Sequence, residues 1–172
     1  VDTTPPINPF IQVNSGNTYT NTNLVSLSLY ASDSNGVATM RLSNDASNWT
    51  GQTPYITSYP AWDLTDPVYG GNTDNGSKTV YAIFYDSLGN PIGGFLPAAF
   101  DSIILDNEAP TSSSSSVGVT NTSPIPVSFT ANDSFGVAFT QLWYKKEAGG
   151  SWTNTGMSLS GNIGSFDFVP SD

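Results

Sequence analysis

Apolar and polar residues alternate along most of this chain, at the two-residue spacing of a strand that buries one face. Val25, Leu27, Leu29 and Ala31 occupy every second position, separated by Ser26, Ser28 and Tyr30. The strongest run is Thr79-Val80-Tyr81-Ala82-Ile83-Phe84-Tyr85, β-branched and aromatic almost throughout. It leads into Asp86-Ser87-Leu88-Gly89-Asn90, where glycine supplies the positive φ of a hairpin. The pattern predicts strands near 9–14, 24–31, 37–43, 54–58, 61–65, 79–86 and 98–105. Pro and Gly recur too often, and helical periodicity too rarely, for a long helix. Seven short strands at this spacing indicate an all-β, Greek-key sandwich.

The pattern then repeats. Ala31-Ser32-Asp33-Ser34-Asn35-Gly36-Val37 returns as Ala131-Asn132-Asp133-Ser134-Phe135-Gly136-Val137. Upstream, Val25, Leu27 and Leu29 answer to Ile125, Val127 and Phe129; downstream, Leu42 matches Leu142 and Trp49-Thr50 matches Trp152-Thr153. Val1-Asp2-Thr3-Thr4-Pro5-Pro6 is echoed by Leu105-Asp106-Asn107-Glu108-Ala109-Pro110. Two modules follow, residues 1–106 and 107–172, with Phe166-Asp167-Phe168 aligned on Trp62-Asp63-Leu64. On that alignment the second module lacks its last two strands within this chain, the counterparts of 79–86 and 98–105. Such a module would present an open sheet edge and an uncovered apolar face, open to strand addition.

Composition narrows the function. Four basic residues stand against fourteen acidic ones, for a net charge of −10, and charged residues make up only 10% of the chain. Nucleic-acid binding is not expected, because it depends on Lys and Arg displacing counterions from phosphates. Anionic membrane surfaces are disfavoured for the same reason, and no apolar run approaches the length of a membrane helix. Ser, Thr and Asn supply about a third of the residues, a neutral hydroxyl and amide surface usual in extracellular β-proteins. The chain begins at Val1 without Met and reads as a mature or excised segment. It has neither His nor Cys, so Ser-His-Asp and Cys-His catalysis and zinc sites built on nitrogen and sulfur are excluded. No enzyme is expected.

Asp2–Pro6, Ala31–Val37, Trp49 and Thr79–Asn90 together resemble the tandem immunoglobulin-like repeats of bacterial and archaeal secreted surface proteins. The marks are D-T-T-P-P, A-x-D-x-x-G-V, a Trp after the third strand, and T-V-Y-x-x-F-x-D-x-x-G-N. The resemblance implies tandem immunoglobulin-like sandwiches at the cell surface or outside the cell, serving as stalks, adhesin segments or envelope components. In such a sandwich Asp2 lies near Asp33 and Asp86, while Asp106 and Glu108 approach Asp133. Carboxylates grouped in this way suit a calcium ion, the only cofactor this chain suggests; the other reading makes each of them a turn cap.

Two further groups admit two readings each. Trp49 and Trp62, with neighbouring tyrosines, are either core residues or a sugar-stacking platform. Asn48, Asn75, Asn121 and Asn132 fit the N-glycosylation pattern, and Thr111–Ser116 is a hydroxyl tract suited to O-glycans, although sequons also arise by chance in an Asn- and Thr-rich chain. Tyr81 is placed as a tyrosine-corner residue. The function expected is structural: a subunit or segment of a microbial surface fibre, filament or stalk. Its partners would be copies of itself or adjacent modules in a polymer, joined by strand complementation. The alternative is an adhesin or a carbohydrate-binding accessory module with glycans as partners.

Overall fold

The computed structural model describes residues 3–92, 99–115 and 118–170. They form two compact units, Val1–Asn107 and Glu108–Asp172.

Unit 1 has eight strands among its described residues: β1 (Ile7–Val13), β2 (Tyr19–Thr20), β3 (Leu24–Ser32), β4 (Val37–Ser43), β5 (Thr53–Pro54), β6 (Ser58–Asp63), β7 (Gly76–Asp86) and β8 (Ala99–Leu105). One sheet has the order β1-β3-β6 and the other β2-β8-β7-β4-β5. Their inner faces enclose a single core, as in a β-sandwich. Alternation explains which side chains enter it: Val25, Leu27, Leu29 and Ala31 from β3, Met40 and Leu42 from β4, and Val80, Ala82 and Phe84 from β7 are all buried. Each large apolar side chain removed from water contributes about 1.5–3 kcal/mol.

The structure departs from the sequence pattern at the sheet edges. Segments 54–58 and 61–65 are instead a two-residue β5 and a β6 at 58–63. Pro54 has no N–H to give a further neighbour and sits on the edge beside Thr39. The chain then crosses between sheets: Tyr55 N–H still donates to Ala38 O on one, and Thr57 O accepts from Leu29 N–H on the other. β2, too short to show any period, pairs parallel with β8. The Val13 N–H donates to the Asp101 carboxylate at 2.8 Å just where the chain leaves β1. β7 begins at Gly76 rather than residue 79. Lys78 is buried there, its ammonium held by Asn72, and desolvation lowers its pKa against the opposing pull of Asp74. The hydroxyl that ties a turn to a strand is that of Tyr55, which accepts from Ala31 N–H, whereas Tyr81 lies tilted against Phe100 at 5.9 Å.

Unit 2 has β9 (Thr111–Ser114), β10 (Ile125–Asn132), β11 (Thr140–Tyr144), β12 (Thr153–Leu159) and β13 (Ile163–Phe168) among its described residues. Its sheets are β13-β10-β9 and β11-β12. β9, β10 and β13 repeat the arrangement of β1, β3 and β6. β11 stands where β4 does, and β12 takes the edge that β5 holds in unit 1. Register corrects one alignment: Val25 pairs with Trp62, and its counterpart Ile125 pairs with Phe168 rather than Phe166.

Candidate functional site

The two repeat motifs adopt the same local structure. Asp33 Oδ1 accepts from Asn35 N–H at 2.7 Å and Asp133 Oδ1 from Phe135 N–H at 2.8 Å. Gly36 and Gly136 follow, at φ 86° and 100°. Beyond those turns the units diverge. β4 is flanked by β5 and β7, whereas β11, among the described residues, has β12 on one edge and no strand on the other.

That open edge borders a cavity of about 480 Å³ between the two sheets of unit 2. Val127, Phe129 and Leu142 form its apolar floor, Ser113 one rim, and Trp143 and Trp152 the other. In unit 1 the equivalent Leu27 and Leu42 are 1% and 2% exposed; Val127 and Leu142 are only half-buried. Phe129 and Phe166 stay covered by stacking on each other, with centroids 5.1 Å apart. Trp143 and Trp152 remain 48% and 62% exposed, and Lys145 Nζ lies 5.2 Å from the Trp152 ring centroid. The sequence pattern marked Trp152 only as the counterpart of Trp49, did not mark Trp143, and made neither a site residue. Position relative to the repeat is the signal for them, since Trp143 follows the counterpart of Leu42 and Trp152 is the counterpart of Trp49.

Carboxylates read as calcium ligands are placed as follows. Asp2 lies outside the described residues. Asp33 and Asp133 hold their turns, and Asp86 is buried, accepting from the N–H groups of Leu88 and Asn90 and from the Asn90 amide. Asp106 is half-buried beside β2, where its N–H donates to Thr20 O, and Glu108 is exposed. Among the described residues, no three His, Cys, Asp or Glu side chains come together as a metal site.

The tryptophans read as a sugar platform sit in the core of unit 1. Trp62 is 3% exposed, its Nε1–H donating to Asn44 Oδ1 and its ring stacked on Tyr69 at 5.6 Å. Trp49 is half-buried against that core and donates to Ala46 O. Trp62 therefore presents no open stacking face. Of the glycosylation candidates, Asn121 and Asn132 are exposed. Asn48 is exposed, but its amide donates to Asp45 at 2.7 Å. The Asn75 Nδ2, the atom a glycan would occupy, is buried.

Asp45 organises the loop beneath Trp62. The Asn48 N–H, opposed by partial burial and aided by Ser47 N–H, the Asn48 amide and the Ser43 hydroxyl, holds its carboxyl down at about 2. Burial pushes Asp63 up, but the Thr65 hydroxyl and N–H and the Asn23 amide outweigh it and leave that carboxyl below its ordinary value. Lowered folded-state values give stability that is present above the ordinary 3.8 and is lost as pH falls toward about 2. The urea midpoint is therefore expected to drop as pH falls from 4 to 2. Asp45→Asn is expected to flatten part of that slope and to cost roughly 1 kcal/mol at pH 7, a modest value because the loop is exposed. An unchanged slope would remove Asp45 from this role.

Comparison with protein-family models, with curated proteins and with solved structures returns no match.

Proposed function

We propose that this chain is a structural segment of a microbial surface fibre or stalk, built from tandem immunoglobulin-like modules and working outside the cell. The observation that carries the reading is the repeat itself: one seven-residue motif occurs 100 residues apart with the same aspartate-capped turn. The strand orders of unit 1, in which a first strand leaves one sheet and a short second one joins the other, support the immunoglobulin-like part. Sparse charge and abundant hydroxyl and amide groups support the extracellular part. Partners on this reading are copies of the chain or adjacent modules in a polymer. Immunogold labelling of intact cells of the source organism, with antibody raised against this chain, tests it. Label on surface fibres is expected, whereas recovery from the cytosolic fraction alone would overturn it.

A second reading, a glycan-binding or adhesin module, is favoured by one observation: Trp143 and Trp152 stand exposed beside a groove edged by Ser113 and Gln141. On that reading, binding on a glycan array would be lost with Trp152→Ala while the circular dichroism spectrum stayed unchanged.

A further inference from the structure

Asparagine precedes glycine at two places in the chain, Asn35-Gly36 and Asn75-Gly76. This dipeptide has a chemistry of its own, because glycine has no side chain to hinder its backbone nitrogen from reaching the neighbouring carboxamide carbon. The fold treats the two pairs differently. Asn35 and Gly36 are exposed in the turn between β3 and β4, outside both strands. Gly36 sits at φ 86°, and a Cβ added there would meet nothing within 4 Å. The Gly36 N–H donates to Asp33 O at 3.2 Å, the long end of such bonds. Asn75, by contrast, is held in place. Its Oδ1 accepts from Asn107 N–H at 3.1 Å and its Nδ2 is buried, while Gly76 already lies in β7, opposite Leu105 of β8.

We infer that Asn35 is a self-modifying site, at which the chain converts asparagine to isoaspartate and aspartate without an enzyme. The Gly36 backbone nitrogen attacks Asn35 Cγ and a new N–Cγ bond forms. The Cγ–Nδ2 bond breaks, and the amide leaves as ammonia, taking up the proton that the Gly36 nitrogen gives up. Water then opens the cyclic imide. Addition at Cγ restores the original main chain with an aspartate, and addition at the Asn35 backbone carbonyl carbon leaves an isoaspartate. No oxidant or reductant is needed. Either product places a second carboxylate two residues from Asp33, in a chain already at −10. Isoaspartate also adds a carbon to the main chain, within a turn closed by Asn35 N–H to Asp33 Oδ1 at 2.7 Å and by Gly36 N–H to Asp33 O. Unit 2 has Phe135 at the matching position, so its copy of the turn is spared. The inference does not depend on the function proposed above.

The test uses the full chain, aged for several weeks in warm, mildly alkaline buffer and compared with a fresh sample. Trypsin cuts after Arg41 and Lys78, so Asn35 and Asn75 fall in separate peptides, 1–41 and 42–78. Peptide 1–41 is expected to gain about 1 Da with age, the exchange of an amide NH₂ for OH. Fragmentation should place the gain at Asn35 and resolve both isomers. Asn75 reacts only when its surroundings open locally, so its conversion should be at least about tenfold slower. Ageing in concentrated urea is expected to bring the two rates within about threefold of each other, because unfolding removes that protection. Asn35→Ser should abolish the gain at this site and leave the circular dichroism spectrum unchanged. No conversion at Asn35 in the folded chain, or conversion at Asn75 as fast as at Asn35, overturns the inference. So does a gain in peptide 1–41 that persists undiminished in Asn35→Ser.

Discussion

Replacing Phe84 with alanine is expected to destabilise unit 1 by about 3–5 kcal/mol, the range for deleting a fully buried aromatic ring. Phe84 is at 0% exposure on the strand between β4 and β8, and the Tyr55 ring meets it edge-on at 5.7 Å. Removing it takes away apolar contact with both sheets and leaves a void that neighbours on two hydrogen-bonded sides cannot collapse into. Calorimetry of the full chain checks this: the transition assigned to unit 1 should fall by more than about 10 °C. Phe100→Ala is the control, since that ring is 67% exposed on a neighbouring strand, and a change within about 0.5 kcal/mol is expected. Similar losses from the two variants would mean that the core does not centre on β7.

Gly71→Ala is expected to cost about 3 kcal/mol through overpacking that no side chain can relieve. An added Cβ would sit 2.5 Å from the Thr65 carbonyl carbon and 2.6 Å from both Asp66 N and Leu64 O, all backbone atoms. The Gly71 N–H also donates to Asp66 O at 2.8 Å, so the loop cannot widen without breaking its own closure. Opening it would displace Leu64, 1% exposed, and loosen the Tyr69 ring from Trp62. Gly51→Ala, with nothing within 4 Å of the new methyl, is expected to be nearly neutral in the same urea titration. Equal midpoints for the two variants would refute the steric account.

What the sequence made legible follows from where neighbours are local. β3, β4 and the body of β7 were readable because each buries one face, and alternation records that directly. β5 and β6 were displaced because Pro54 and Pro60 interrupt the pattern and the chain changes sheets between them. β12, Thr153–Leu159, has no clean apolar alternation, and its pairing with β11 is set by position in the repeat. The candidate site was hardest. Whether a tryptophan is core or surface depends on which strand covers it, and coverage is a tertiary property. Trp62 is buried because β3 and the 63–71 loop close over it; Trp152 is exposed at the rim of the unit 2 cavity. The turn aspartates were legible as caps from their Asx-Gly context, whereas a cation site would need carboxylates from separate loops to converge, which spacing alone does not encode.

The parallel pairing of β2 with β8 has a mechanical consequence. Tyr19 and Thr20 lie beside Ile104 and Leu105, with Ile104 N–H donating to Thr18 O and Asp106 N–H to Thr20 O. Once β1 has parted from β3, a pull applied through the first residues and through residue 107 draws these two strands in opposite directions along their length. The cross-links between them then bear the load together, like stitches in a lap seam, instead of parting one after another as in a zip. Rupture under tension is governed by the unfolding barrier rather than by equilibrium stability, so weakening this short seam should lower the force unit 1 withstands far more than it lowers its melting temperature.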